Sequence, residues 1–129
     1  MTLKDIKDCF KSEFNWQHSI SVGKIDNNCE KAICFYRSRK GSAKESAVGG
    51  KSNSTFKKMP VTVLLRFGTN ANEAQNKAQE IYDFFDERKF LFNEKRVFII
   101  SRFNEPIDLG TDEKGIYEHS FEFDFYFEK

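Results

Sequence analysis

The stretch Tyr117-Glu118-His119-Ser120-Phe121-Glu122-Phe123-Asp124-Phe125-Tyr126-Phe127-Glu128 alternates without a break. Successive side chains of a strand point to opposite faces. Tyr117, His119, Phe121, Phe123, Phe125 and Phe127 therefore share one side, and Glu118, Ser120, Glu122, Asp124, Tyr126 and Glu128 the other. The pattern predicts a long closing strand with a buried aromatic face and a wet, acidic face. Phe occurs 15 times against one Trp and two Met. Each aromatic ring hides roughly 150–250 Å², so a core can be closed with few residues.

Working back from that strand, Asp112-Glu113-Lys114-Gly115 reads as a tight turn, and Pro106 and Gly110 frame a connection. Lys95 to Arg102 reads as a strand apolar on both faces at Val97-Phe98-Ile99-Ile100. Before it, Ala71, Ala74, Ala78, Ile81, Tyr82 and Phe85 recur at helical steps. Asn70 is the expected N-cap with Glu73 at N3, and the helix should end near Arg88. Val61 to Phe67, just after Pro60, is a further strand. Ser19 to Ile25 and Lys31 to Ser38 alternate around the turn residues Asp26-Asn27-Asn28 and read as a hairpin. At the start, Thr2 caps a helix over about residues 2–14, whose apolar stripe is Leu3, Ile6, Phe10 and Phe14.

The order is α-β-β-loop-β-α-β-β. It predicts an α+β fold with a mixed, mainly antiparallel sheet of about five strands and two helices on one face. At 129 residues the chain is expected to be a single domain. Charged residues are 32% of the chain and nearly cancel, leaving a net charge of +1. That balance argues against a surface built throughout for nucleic acid. No run approaches the ~20 apolar residues of a membrane helix, and no secretory signal is visible. Cys9, Cys29 and Cys34 cannot all pair within one chain, which fits free thiols and folding in the cytoplasm.

Residues 39–58 break the pattern. The segment holds Gly41, Gly49 and Gly50, little that is apolar, and a basic series: Arg39, Lys40, Lys44, Lys51, Lys57 and Lys58 stand against Glu45. It is expected to be a mobile loop, since it buries too little to offset its ordering entropy. Its cations, together with Glu122 and Asp124 of the acidic strand face, are the candidate contacts for partners. A basic loop and an acidic face on one neutral molecule suit head-to-tail association of copies.

Other chemistry is poorly served. Gly50-Lys51-Ser52 imitates the end of a phosphate-binding loop, but Glu45 stands where the first glycine belongs and no helix pattern follows. Cys29 and Cys34 have a zinc-like spacing but lack two further ligands nearby. His119 sits in the aromatic row, with Glu118 and Ser120 on the opposite face, so it is expected in the core rather than in a catalytic set. His18 has no obvious partner. No catalytic residue, cofactor or metal is expected.

The segment Pro106-Ile107-Asp108-Leu109-Gly110-Thr111-Asp112-Glu113-Lys114-Gly115 runs into Tyr117-Glu118-His119-Ser120-Phe121 and an aromatic closing strand. In this wording, and in its order of elements, the chain resembles the tail terminator and minor capsid proteins of long-tailed bacteriophages and of prophages of Gram-positive bacteria. The resemblance implies a structural, non-enzymatic virion protein, made and assembled in the host bacterial cytoplasm. Such a protein forms a ring, typically a hexamer, that caps the tail tube and joins tail to head. The implied partners are copies of itself, the major tail tube protein and the head-tail connector, with DNA passing through the lumen without sequence-specific binding. The loop 39–58 would order on assembly. The competing expectation is a nucleic-acid-binding module using the same basic loop, whose affinity would fall steeply with salt.

Overall fold

A computed structural model of the chain describes residues 1–38 and 56–129. Its elements in order are α1 (Leu3–Glu13), β1 (Ser19–Val22), β2 (Lys31–Arg37), β3 (Phe56–Phe67), α2 (Ala71–Phe85), β4 (Lys89–Phe92), β5 (Lys95–Ser101), β6 (Ile107–Thr111) and β7 (Tyr117–Glu128). The sheet runs β1-β2-β3-β7-β5-β4, and β6 adds to the outer side of β7 beside the end of β5. The architecture is α+β, with seven strands among the described residues instead of about five.

Both helices start where their caps dictate. The Thr2 hydroxyl accepts from the Asp5 amide, and the Asp5 carboxylate accepts from the Thr2 amide at 2.8 Å, a complete capping box. Asn70 Oδ1 accepts from the amides of Asn72 and Glu73. The second helix stops at Phe85 rather than near Arg88. Asp86 turns extended, Glu87 takes a left-handed backbone (φ 61°), and the Asp86 carboxylate accepts from the Ser101 amide at 2.9 Å. That side chain pins the chain end to β5 and frees it to form β4.

The core lies between the helices and one sheet face. Ile6 and Phe10 of α1 and Ala74, Ala78, Ile81 and Phe85 of α2 meet Phe35, Val61, Val63, Leu65, Ile99, Phe121, Phe123 and Phe125. Phe85 stands at the centre, its ring 5.4 Å from Phe10 and 5.1 Å from Phe123. The aromatic row of the last strand faces inward as its alternation requires: Phe121, Phe123 and Phe125 are buried.

Three expectations are corrected. First, β1 and β2 are parallel neighbours, Ser19 opposite Ala32 and Val22 opposite Phe35, not a hairpin. The connection turns twice, at Gly23 (φ 83°) and again at Asp26–Cys29, where the Asp26 side chain accepts from the Asn28 amide. Two reversals restore the original direction. Second, β3 begins at Phe56, so Lys57 and Lys58 are strand residues, and Pro60 lies within the strand. The Pro60 carbonyl accepts from the Ser38 amide at 3.1 Å. In an antiparallel strand a residue's N–H and C=O point the same way. The missing N–H therefore faces the side where β2 has ended, and pairing to β7 continues through Pro60. The rest of the expected loop, 39–55, with Arg39, Lys40, Lys44 and Lys51, lies outside the described residues. Third, β6 emerges from a stretch read as a connection, and β4 from residues between the helix and the Lys95 strand, where the sequence reading places no element. Asn93 and Glu94 both have positive φ, the geometry of a tight hairpin turn, and this folds β4 onto β5.

Candidate interaction face

The sheet face away from the helices is not uniformly wet and acidic. Arg66 is only 3% exposed and donates to Asp112 at 2.8 Å, with Glu118 3.5 Å away. Its Nε and Nη2 have no partner among the described residues. Asp112 also accepts from the amides of Ile116 and Lys114; the Ile116 bond first, then the Arg66 bond, holds its carboxyl below the ordinary value. Further along, Asp124 is 7% exposed and takes a forked pair from Arg102 at 2.9–3.2 Å. Asp124 is thus enclosed within the chain. Glu122 is half-buried and lines a 460 Å³ groove with Tyr36, Arg37 and Thr62, beside the point where the chain passes Ser38.

At the opposite end of the same face the strands carry aromatic and cationic residues in register. Lys58 lies across from Tyr126, Tyr126 from Phe98, and Phe98 from Lys89. The Lys58 ammonium sits 5.7 Å from the Tyr126 ring, and that of Lys89 sits 5.4 Å from Phe98. The Phe56 ring lies tilted beside Tyr126, the centroids 5.6 Å apart. Arg96 clasps Glu128 through its amide (2.8 Å) and guanidinium (3.1 Å), which holds the Glu128 carboxyl down and the guanidinium up. Phe56, Lys89, Leu91, Arg96, Phe98, Tyr126 and Glu128 line an open groove of 680 Å³. Ile100, expected in a doubly buried strand, is exposed on this face because among the described residues both helices lie on the other face.

Of the expected contact residues, Lys58 joins this patch, Lys57 is exposed on the other face opposite Phe127, and Glu122 lies four residues along the sheet from Lys58 by register. Phe56, Leu91, Phe98 and Arg96 were not singled out in the sequence. Their signal was the short apolar run Phe90-Leu91-Phe92 before Asn93, which reads as a strand only once the turn is recognised.

The histidines are packed on apolar walls. His119 is buried opposite Leu65, with Asp108 across from it on β6, and its Nδ1 has no partner among the described residues. Burial pushes its pKa down against the opposing pull of Asp108. His18 stands edge-on to Trp16 and Phe67. Cys29 donates to Asp26 at 3.3 Å and Cys34 is buried, so both thiols are pushed up, and among the described residues no metal-binding cluster forms.

Among the described residues no helix is long and apolar enough to cross a membrane. No curated protein and no solved structure matches the chain. The model of one family, described as bacteriophage tail terminator protein, matches residues 11–129, so the chain belongs to that family of structural phage proteins.

Proposed function

We propose that this chain assembles as a ring on the growing end of the phage tail tube, stops its elongation and presents it to the head connector. Family membership carries the reading and places the work of the chain in the virion. The structure supports it through a sheet face left open by both helices, which offers an aromatic, cation-rimmed groove at one end. Ser38 and Phe56, the described residues on either side of 39–55, line the two grooves of this face. The cations of 39–55, Arg39, Lys40, Lys44 and Lys51, with Lys57, Lys58 and Glu122, are the proposed contacts to neighbouring subunits, tube and connector. The DNA in the lumen passes without sequence-specific binding.

The test is co-assembly with the matching tail tube protein, followed by electron microscopy. Tubes should acquire a terminal ring and stop growing; tubes that lengthen unchanged, with bare ends, would refute the reading. The paired cations and rings at Lys58–Tyr126 and Phe98–Lys89 also suit the stacking and charge contacts of nucleic acid. Binding to DNA that falls steeply with salt and vanishes in Lys51→Glu/Lys57→Glu/Lys58→Glu would favour that second reading.

A further inference from the structure

Among the described residues six large hydrophobic side chains are exposed: Val22, Phe56, Leu91, Ile100, Phe103 and Leu109. Four of them form two separate clusters of opposite charge. Leu91 (70% exposed) and Phe56 sit in the 680 Å³ groove with Lys89, Arg96 and Glu128; Arg96 is already paired with Glu128, so Lys89 carries the net positive charge of this cluster. Phe103, Glu105 and Asp108 line a 580 Å³ cavity between α2 and the 103–108 segment, and exposed Leu109 follows Asp108 in the chain. The latter cavity is walled by Gln75, Gln79 and His119 as well as the two acids.

The second cluster is held rigid before any partner arrives. The Phe103 carbonyl accepts from Tyr82 at 2.8 Å and from the Ser101 hydroxyl at 2.6 Å, and the Ser101 hydroxyl accepts from the Phe103 amide at 3.2 Å. Asp108 accepts from the Gly110 amide at 2.7 Å. A pre-ordered segment loses little entropy on docking, and exposed apolar side chains are stabilised by leaving water against one another. Among the described residues, β4 pairs only with β5 and β6 only with β7, so each cluster borders an open strand edge.

We infer that the β4–β5 hairpin of one copy, carrying Lys89, Leu91 and Arg96, seats against the Phe103–Leu109 segment of the next copy. The occupant is a second copy because the two clusters complement each other in charge and in apolar content. They do not overlap on one molecule, so the contact is head-to-tail, and such a contact generates rings or filaments rather than closed pairs. This inference rests on the ring proposed above and names its interface.

The experiment measures ring assembly of the full-length chain, alone over a wide concentration range and with tail tubes, by mass photometry and electron microscopy. Leu91→Asp and Lys89→Glu should each weaken assembly about tenfold or more, and Lys89→Glu/Glu105→Lys should recover most of the Lys89→Glu loss, as expected for a charge pair across an interface. Circular dichroism checks that each variant stays folded. Lys4→Glu, exposed on α1 and away from the sheet face and both clusters, serves as a second charge reversal and should assemble as the parent does. Rings that form normally in Leu91→Asp and Lys89→Glu would overturn this interface and leave the ring standing. A parent chain that stays monomeric at every concentration and on tubes would overturn the ring and this contact with it.

Discussion

If the phenylalanines of the last strand form the inner layer, truncating one of them must cost far more than truncating its neighbour on the other face. Phe123 is fully buried, lies between Val61 on β3 and Ser101 on β5, and touches the Phe85 ring at 5.1 Å. Phe123→Ala removes a whole ring from a packed site, a change that costs about 3–5 kcal/mol. For a chain of this length the entropy of unfolding makes 1 kcal/mol worth roughly 4 °C in Tm. The expected loss is therefore about 12–20 °C, a large share of a stability that is typically only about 5–15 kcal/mol. Tyr126 is half-buried on the helix-free face, against Phe56 and the Lys58 ammonium. Tyr126→Ala should cost on the order of 1 kcal/mol, or roughly 4 °C. Thermal melts followed by circular dichroism, repeated in urea, measure both. Equal losses, or a greater loss at Tyr126, would refute the placement, because a one-residue slip of register exchanges the two faces of a strand.

The Arg102–Asp124 pair should behave as a buried unit. Arg102→Met alone strands a nearly enclosed carboxylate and should destabilise by about 2–4 kcal/mol, while Arg102→Met/Asp124→Val should recover much of that in a urea double-mutant cycle. Asp112 titrates below its ordinary value of 3.8, so its stabilising effect is complete above that pH and is lost as pH falls through its lowered folded value. The urea midpoint of the parent should accordingly fall more steeply below pH 4 than that of Asp112→Asn. Glu94 holds φ 67° in the β4–β5 turn, a backbone that glycine adopts without strain. Glu94→Gly should leave stability unchanged or raise it by up to about 1 kcal/mol in the same melts.

Most of the architecture was legible wherever a local rule decided it. Thr2 and Asn70 cap the helices because their side chains sit beside amides only a few residues away. The hairpin at Asn93–Glu94 was passed over because its strand is short and its turn lacks glycine, so left-handed backbone is imposed on residues that seldom choose it. Pro60 looked like a strand boundary because its missing amide is harmful only if a neighbour needs that hydrogen bond. Whether β2 reaches that far is a matter of sheet length, not of the residue itself. The acidic face misled in the same manner: Asp124 and Glu118 alternate as solvent-facing carboxylates, yet Arg102 and Arg66 fold over them from other elements.

By itself the amino-acid order determined which side of the closing strand is greasy, where the helices begin, and the family wording of the C-terminal quarter, since periodicity and capping act over a few residues. Tertiary structure alone decided that β1 runs parallel to β2, that Lys58, Tyr126, Phe98 and Lys89 share a row, and that exposed Phe56 and Leu91 share a groove with Lys89 while Phe103 lies along a cavity with Glu105 and Asp108. Those features depend on which distant strands lie side by side, and that is set by packing the whole sheet beneath its helices.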